Sequence, residues 1–300
     1  MKNFLSALIT IAALAIAPHV AALEVFACEP EWGALVQELG GDRVSVYVAT
    51  QALQDPHQIQ AKPSLLARAR RAELVVCTGA ELEIGWMPVV VRQSGNSAIQ
   101  PDRLGYFEAA NYVQRLEIPT VLDRAAGDIH PGGNPHIQTD PRNIAHVATA
   151  LAQRLAQVDP SGAAQYHARY QDFSRRWEAA IKKWEKDAAP LKGTLVVAHH
   201  KTFIYLENWL GLREVATLQP KPGVEPTSSH LADVLDQMKR QPAKMILRGP
   251  YSDARASEWL AERTKMAMVV VPETVGGSDK AKDLFGLFDD TIQRLLEASR

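Results

Sequence analysis

The chain has 300 residues, 46% of them hydrophobic, and a formal net charge of −1. This length and composition allow two domains with buried cores. The near-neutral charge excludes a nucleic-acid-binding surface, because the basic residues form only two short runs, at 68–71 and 182–186, and such runs are typical of solvated helix faces.

The first 22 residues, MKNFLSALITIAALAIAPHVAA, have the form of a secretory signal peptide. A lysine near the start precedes an apolar run at 4–17, and small residues precede a cleavage site after Ala22. The run is too short for a retained membrane helix, which needs about 20 apolar residues. No cysteine follows the cleavage site directly, so we expect a periplasmic protein without a lipid anchor.

From Leu23, strand-like apolar runs alternate with helical patterns. The strands are VFAC, VSVYVAT and ELVVCTG, and the helices between them are EWGALVQELGG and PSLLARARRA. This alternation predicts an α/β lobe over residues 23–158, with a mainly parallel sheet flanked by helices. Ligands of such sheets bind at the carboxyl ends of the strands, so the loops after VYVAT and VVCTG are expected to face the functional site.

The mature chain has two cysteines, Cys28 and Cys77, and each closes a short apolar run. We expect them at matching ends of neighbouring parallel strands, and an exported protein meets an oxidising compartment. The sequence therefore predicts a disulfide bond between them. A cysteine-based metal site is the alternative, but the chain has no CxxC pair and no third cysteine.

A polar segment at 126–141, AGDIHPGGNPHIQTDP, contains two histidines, two aspartates, three prolines and three glycines. It has neither the period of a helix nor the alternation of a strand, so we expect a loop outside the core. Because rigid turns hold its imidazoles, this loop is a candidate for binding a metal ion. Asp140 or Asn143 is expected to cap the next helix, which extends to about Gln157.

Residues 159–188 are predicted to link two lobes through one long helix. After the turn DPSG comes a run of about 27 helix-forming residues without Gly or Pro, which would span about 40 Å. Its apolar residues fall three and four apart, which predicts one packed stripe. The stripe comprises Tyr166, Tyr170, Phe173, Trp177, Ile181 and Trp184. We expect this helix to be a rigid connection and not part of either core.

A second alternation of strands and helices follows over residues 189–300. The strands are TLVVAHH, EVATLQ, AKMILRG and MAMVVVP, and the helices are TFIYLENWLGL, HLADVLDQMKRQ, ARASEWLAERTK and KDLFGLFDDTIQRLLEAS. The helix HLADVLDQMKRQ is expected to be capped near Ser228 or Ser229. The predicted fold is therefore two α/β lobes, each with a mainly parallel sheet flanked by helices, joined by one long linker helix.

Several side chains that can ligate a metal lie at the ends of the predicted elements. His57 follows the second strand, His136 lies in the polar segment, and the adjacent His199 and His200 end the strand TLVVA. After the strand MAMVVVP, two carboxylates flank a glycine pair: Glu273 and Asp279. Ligands so far apart in sequence have no short spacing pattern, so their positions alone are weak evidence for one site.

The mature chain resembles the periplasmic solute-binding proteins of zinc and manganese ABC importers over nearly its whole length. The resemblance rests on DPHQIQAKPS, VVCTGAELEIGW, NPHIQTDPRN and HKTFIYLENWLGL. In this family a histidine is followed at plus three by Phe and at plus five by Tyr. His200, Phe203 and Tyr205 meet that pattern, which selects His200 over its neighbour His199.

The resemblance implies an ion held in the cleft between the lobes by three histidines and one carboxylate from the second lobe. The histidines are then His57, His136 and His200. The carboxylate is where this sequence departs from the family, because the usual pattern near the last strand is missing. Glu273 fits the position at the strand end, whereas Asp279 restores the residue type of the family, and both stay open.

Three neutral imidazoles and one carboxylate form a closed tetrahedral site that suits Zn²⁺, whereas a manganese site would carry more oxygen ligands. A closed site predicts a transported ion and no catalysis, so the chain is not expected to be an enzyme. His130, six residues before His136, is a candidate for a weaker second metal site. Solvation of His130 without a metal is the alternative.

The expected partner is the ABC permease of the inner membrane, with a zinc chaperone as a further candidate, and the chain is expected to be a monomer. Two other functions are weighed. A secreted zinc hydrolase would leave one coordination position to water, but the sequence has no HExxH helix and no GxSxG elbow. A metal-binding adhesin would share the fold, and the missing lipidation cysteine argues against it.

Overall fold

The computed structural model describes residues 21–120, 127 and 130–300. The predicted signal peptide, residues 1–22, therefore lies outside the described residues except for its last two. The polar segment at 126–141 is described from His130 onwards and at Gly127. Within these ranges, no helix combines the length and the apolar composition that crossing a membrane requires.

The first lobe is built on a four-stranded, fully parallel sheet with the strand order β2-β1-β3-β4. Its elements are β1 (Leu23–Ala27), α1 (Pro30–Gly40), β2 (Val44–Val48), α2 (Pro63–Ala69), β3 (Leu74–Cys77), α3 (Met87–Ser94) and β4 (Tyr106–Glu108). The parallel sheet was predicted, but α3 and β4 were not. A three-residue strand shows no alternation, and α3 has only eight residues and begins at a Met-Pro pair.

The predicted disulfide bond between Cys28 and Cys77 is confirmed. The two residues lie at the carboxyl ends of β1 and β3, which are neighbours in the sheet, and their Cα atoms are 4.8 Å apart. Both side chains are buried.

Two consecutive helices connect the lobes: α4 (Pro141–Val158) and α5 (Ala163–Ala188). The side chain of Asp140 accepts a hydrogen bond from the backbone N–H of Arg142, so Asp140 is the cap of α4 and Asn143 is not. Pro141 occupies the first turn, where its missing N–H costs no hydrogen bond. The long helix that the sequence predicted is α5, with 26 residues.

The second lobe repeats the design of the first, with a parallel sheet in the order β6-β5-β7-β8. Its elements are β5 (Leu195–Ala198), α6 (Ile204–Leu210), β6 (Arg213–Thr217), α7 (Ser228–Arg240), β7 (Met245–Arg248), α8 (Arg255–Thr264), β8 (Ala267–Val270) and α9 (Leu284–Ser299). The cap of α7 was predicted one or two residues too late. It is Thr227, whose hydroxyl accepts from the backbone N–H of His230.

One continuous hydrophobic core runs through both lobes, from Leu23 in β1 to Leu295 in α9. Two smaller clusters complete the interior, one on the outer face of each sheet.

Four aromatic residues of α5 belong to the continuous core: Tyr166, Phe173, Trp177 and Trp184. The expectation that α5 stands apart from the cores was therefore wrong. Its stripe packs between α4 and α1 on one side and α9 on the other, because aromatic residues this large need partners along the whole helix.

Candidate metal centre

Three imidazoles from distant parts of the chain converge at one point. His57, His136 and His200 each place a ring nitrogen so that these atoms all lie within 4.8 Å of one another. The ring centroid of His136 is 5.4 Å from that of His57 and 5.4 Å from that of His200. The centroids of His57 and His200 are 6.1 Å apart. The structure thus brings together the three histidines that the sequence singled out.

Each histidine is placed by the end of a different element. His57 lies in the turn after β2, where the indole N–H of Trp86 donates to the carbonyl oxygen of Pro56 at 2.9 Å. His136 precedes a short helical turn that leads into α4, and the hydroxyl of Thr139 donates to its carbonyl oxygen. His200 follows the end of β5 in an extended conformation, just before the chain turns into α6.

The Nδ1 atom of each imidazole is held by a side-chain oxygen. Asp55 Oδ1 lies 2.7 Å from Nδ1 of His57, and Asn134 Oδ1 lies 3.0 Å from Nδ1 of His136. Gln219 Oε1 lies 2.7 Å from Nδ1 of His200. An oxygen acceptor at Nδ1 fixes the proton there, so the lone pair of each ring is on Nε2. This arrangement of imidazoles and oxygen acceptors is typical of metal-ligating histidines.

Two of these Nε2 atoms are buried without a protein partner among the described residues. In the part of the chain that the structure describes, Nε2 of His57 and Nε2 of His136 are buried and have no hydrogen-bond partner. Leaving a buried polar atom unpaired costs about 1–3 kcal/mol. A metal ion at the centre of the cluster would satisfy both.

Burial acts on the ionisation of two residues of the cluster, His136 and Asp55. Burial, together with the neighbouring histidines, holds the pKa of His136 well below its usual range, so this ring stays neutral at pH 7. Burial works against the charged form of Asp55, but the hydrogen bonds and charge of His57 nevertheless keep the pKa of Asp55 below its ordinary value. A neutral imidazole such as that of His136 keeps the lone pair with which it can bind a cation.

The two candidate carboxylates lie in different surroundings. Glu273 is buried, and its Oε1 atom has no hydrogen-bond partner among the described residues. Burial raises the pKa of Glu273 to about 8, and the nearby charge of Asp55 acts in the same direction. Asp279 is exposed at the surface. Neither carboxylate joins the three histidines in the group of ligand atoms within 4.8 Å, so the choice of the fourth ligand stays a prediction.

Two further histidines lie next to the cluster. The ring centroid of His130 is 5.4 Å from that of His57, and His130 lines a cavity of about 160 Å³ together with His136 and His200. His199 is buried and faces a different cavity, of about 420 Å³, beside Asp253. His199 therefore lies beside the cluster without entering it, as the family pattern implied.

The expectation that the polar segment lies outside the core was wrong for its second half, because residues 133–141 are buried. Burial is possible there because α6 and the residues before it form hydrogen bonds with polar groups of the segment. The hydroxyl of Tyr205 donates to the carbonyl oxygen of Asn134 at 2.7 Å and accepts from the N–H of Leu116 at 3.0 Å. The amide of Asn134 donates to the carbonyl oxygen of Lys201 at 2.8 Å. Tyr205, part of the family pattern, thus ties the loop of His136 to the element that carries His200.

The comparison with protein families agrees with this geometry. The family model of ZnuA, described as "Zinc-uptake complex component A periplasmic", matches residues 25–298. The chain belongs to this family. The family is defined as a component of an uptake complex and not as a group of enzymes, which confirms the expectation that the chain is not an enzyme.

The ZnuA relatives are distant in sequence. The high-affinity zinc uptake system protein ZnuA of Brucella abortus (strain 2308) is 23% identical over 160 residues, which are 53% of this chain and 47% of that protein. The chain thus spans about half the length of the first curated relatives it matches. ZnuA of Yersinia pestis is 24% identical over 211 residues, 65% of each chain. The manganese ABC transporter substrate-binding lipoprotein PsaA of Streptococcus anginosus is 18% identical and covers 77% of this chain and 74% of its own.

The fold is shared with solved structures. A crystal structure of ZnuA has a TM-score of 0.78 at 22% identity and covers 93% of this chain and 100% of its own. A manganese-bound periplasmic metal-binding protein from Candidatus Liberibacter asiaticus has a TM-score of 0.75 at 17% identity, covering 92% and 99%. The two-lobed architecture with a long helix between the lobes, predicted from the sequence, is thereby confirmed.

Proposed function

We propose that the chain is the periplasmic solute-binding protein of a zinc ABC importer. It holds one Zn²⁺ between two lobes, residues 23–158 and 189–300, which residues 159–188 connect, and it delivers the ion to a membrane permease. The observation that carries this proposal is the convergence of three imidazoles whose Nδ1 atoms are all held by oxygen acceptors. Membership of the ZnuA family supports the role in transport.

The ligands are His57, His136 and His200 through their Nε2 atoms. An imidazole-rich donor set favours zinc over manganese, which prefers more oxygen ligands, although imidazole also suits copper and nickel. For the fourth ligand we favour Glu273 over Asp279, because Glu273 is buried and has an oxygen without a hydrogen-bond partner among the described residues. Asp279 remains the alternative. His130, close to His57, is a weaker auxiliary ligand for incoming ions.

The protein acts as a monomer outside the cytoplasm. Export uses the signal peptide at residues 1–22, with cleavage after Ala22 and no lipid anchor. The permease docks on both lobes at the mouth of the cleft, and a zinc chaperone is a further partner in systems that have one. Support for the location comes from the family description, which names a periplasmic component.

The test is a competition titration of zinc against a chromophoric chelator, with the mature, metal-stripped protein. Alanine variants of His57, His136 and His200 are each expected to lose affinity by more than about 100-fold, because each removes a direct ligand. Glu273→Ala and Asp279→Ala separate the two carboxylate candidates. His146→Ala is the matched control, since His146 is exposed on α4, away from the cluster.

One tight zinc per chain, lost in the three histidine variants and in one carboxylate variant, supports the proposal. Unchanged zinc binding in the histidine variants would refute the assignment of the site. Tighter binding of manganese than of zinc would refute the choice of metal and leave the site standing.

A further inference from the structure

A second group of metal-ligand side chains lies in the first lobe. Cys28, Cys77 and Glu83 place their ligand atoms within 4.8 Å of one another, and all three residues are buried. The proposed function makes no use of this group. While the disulfide bond is closed, neither sulfur is a thiolate, so the group cannot act as a thiolate site.

Backbone donors hold the carboxylate of Glu83 beside the strand ends. Its Oε1 atom accepts from the N–H of Thr78 at 2.8 Å, and its Oε2 atom accepts from the N–H of Gly79 at 3.1 Å. Since Thr78 and Gly79 directly follow Cys77, the position of the carboxylate is tied to that of the sulfur.

A second carboxyl group, from the residue after Cys28, contacts Glu83. Glu29 hydrogen-bonds to Glu83, and its Oε2 atom accepts from the hydroxyl of Thr78 at 3.2 Å. Its Oε1 atom is buried and has no partner among the residues described. The group within 4.8 Å therefore offers two sulfurs and one oriented carboxylate, which are donor types that tetrahedral zinc takes.

We propose that the reduced chain carries a second zinc site formed by Cys28, Cys77 and Glu83, and that closing the disulfide bond abolishes it. The two parallel strands fix the sulfurs side by side whether or not they are bonded to each other, because their backbones are paired along the sheet. Thiolates bind zinc and other thiophilic ions more strongly than carboxylates do, so the reduced pair is a competitor for the transported ion.

Binding of Zn²⁺ to the reduced site requires no reactant other than the ion itself. Zn²⁺ displaces one proton from each thiol, and the two thiolates with one carboxylate leave a net charge of −1. Oxidation then transfers two electrons from the thiolates to an oxidising protein disulfide, which takes up two protons and becomes a dithiol. The new S–S bond leaves the ion without its thiolate ligands, and it dissociates.

The proposal gives the disulfide bond a role besides stability. A chain exported in the reduced form would hold one ion at the strand ends of the first lobe in addition to the ion held by the histidines. Disulfide formation reduces the capacity to the histidine site alone. This inference does not rest on the proposed transport function, because it involves none of the three histidines.

The test uses Co²⁺ as a spectroscopic substitute for zinc. The metal-free full-length mature chain is refolded with Co²⁺ under anaerobic conditions, once with a phosphine reductant and once with the disulfide intact. We expect the number of bound ions to rise by one in the reduced protein, with a near-ultraviolet thiolate-to-cobalt charge-transfer band that the oxidised protein lacks. The double variant His57→Ala/His136→Ala should keep this band, which separates the second site from the histidine site.

Carboxylate variants test whether the folded cluster is the site. Glu83→Gln is expected to weaken the extra ion by about 10-fold or more in the reduced chain. Glu81→Gln is the matched control, because Glu81 is an exposed residue in the same turn. Circular dichroism verifies that each reduced sample is folded.

Three results would overturn the proposal. The first is equal metal content in reduced and oxidised protein. The second is a charge-transfer band that is the same in Glu83→Gln as in the wild type, since that would mean binding by two thiols of an unfolded segment. The third is a reduced chain that does not fold in the presence of cobalt.

Discussion

Gln219 connects His200 to the loop that follows β6. Its Oε1 atom holds Nδ1 of His200 at 2.7 Å and also accepts from the N–H of Gly223 at 3.0 Å. Gln219→Leu removes the acceptor, so we expect zinc affinity to fall by about 10–100-fold, as is usual when a partner of a ligating histidine is lost. Chelator competition measures the change.

Two companion variants sharpen this prediction. Gln219→Glu restores an oxygen acceptor and should recover most of the affinity, whereas Gln241→Leu, at an exposed site after α7, should leave it unchanged. Equal urea midpoints for the metal-free proteins would show that the loss is local. If Gln219→Leu bound zinc as the wild type does, the orientation of His200 would not depend on this contact.

Glu207 in α6 makes stability depend on pH. Burial, and after it the charge of Glu214, raises the pKa of Glu207 to about 8, and its Oε1 atom has no hydrogen-bond partner in the described ranges. The folded state therefore keeps a proton that the unfolded state loses above its ordinary pKa near 4.5. The contribution of Glu207 is thus most favourable at low pH and declines as pH rises toward about 8.

In Glu207→Gln this pH dependence disappears. The stability of the variant relative to the wild type is expected to increase by up to about 1.4 kcal/mol per pH unit between about pH 5 and about pH 8. Urea unfolding of the metal-free proteins across that range measures it. Glu262→Gln, on an exposed side chain of α8, serves as the control and should show no such trend. A flat difference for Glu207→Gln would contradict the buried, protonated state.

The residues of the site were predictable to different extents. The three histidines were identified because motifs around them resemble a family, but the acceptors of their Nδ1 atoms were not. Two of these acceptors have a local signal that can be read from sequence: DPH and NPH place an Asx residue two positions before the histidine. In both, the Asx oxygen also accepts from the backbone N–H of the histidine at 3.0 Å, which is an Asx turn. Gln219 has no such signal, because only the folded sheet brings it to His200.

Among the secondary-structure elements, the length and the apolar pattern of each segment decided whether the sequence predicted it. The helix α5 was predicted almost to the residue, because 26 residues of strong helix formers leave no alternative. The helix α3 was missed because its run of three valines, VVV, shows no helical period, and the strand β4 was missed because it has only three residues. The burial of residues 133–141 was missed for another reason: Tyr205 satisfies the carbonyl of Asn134, the side chain of Asn134 bonds to Lys201, and contacts between distant segments leave no local pattern.

For the whole molecule, the continuous core predicts that both lobes unfold together. Trp177 of α5 lies at the centre of that core: its indole N–H donates to the carbonyl oxygen of Pro141, and its ring packs on Phe285 and Phe288 of α9. Trp177→Ala is therefore expected to destabilise the entire protein by about 3–5 kcal/mol in one transition. Tryptophan fluorescence and far-ultraviolet circular dichroism should give coincident curves before and after the substitution.

Arg175→Ala is a suitable control for that substitution, because the side chain of Arg175 projects into solvent from the same helix and pairs with the exposed Asp172. Its effect on the free energy of unfolding should stay below about 1 kcal/mol. Two separate transitions in Trp177→Ala would mean that the lobes are stable without the shared core.

The matching strand orders of the two sheets reveal a pseudo-symmetry in which corresponding positions carry different chemistry. Cys28 follows β1 and donates its backbone N–H to Val76, as His199 follows β5 and donates to Leu247. The next residues along, Glu29 and His200, are therefore structural counterparts. At the end of the central strand, the first lobe has Cys28, which forms the disulfide bond, and the second lobe has the imidazole of His199 at the equivalent position. The adjacent pair His199 and His200 thus lies at the strand end of the second lobe, and the first lobe has an acidic residue, Glu29, at the position equivalent to His200.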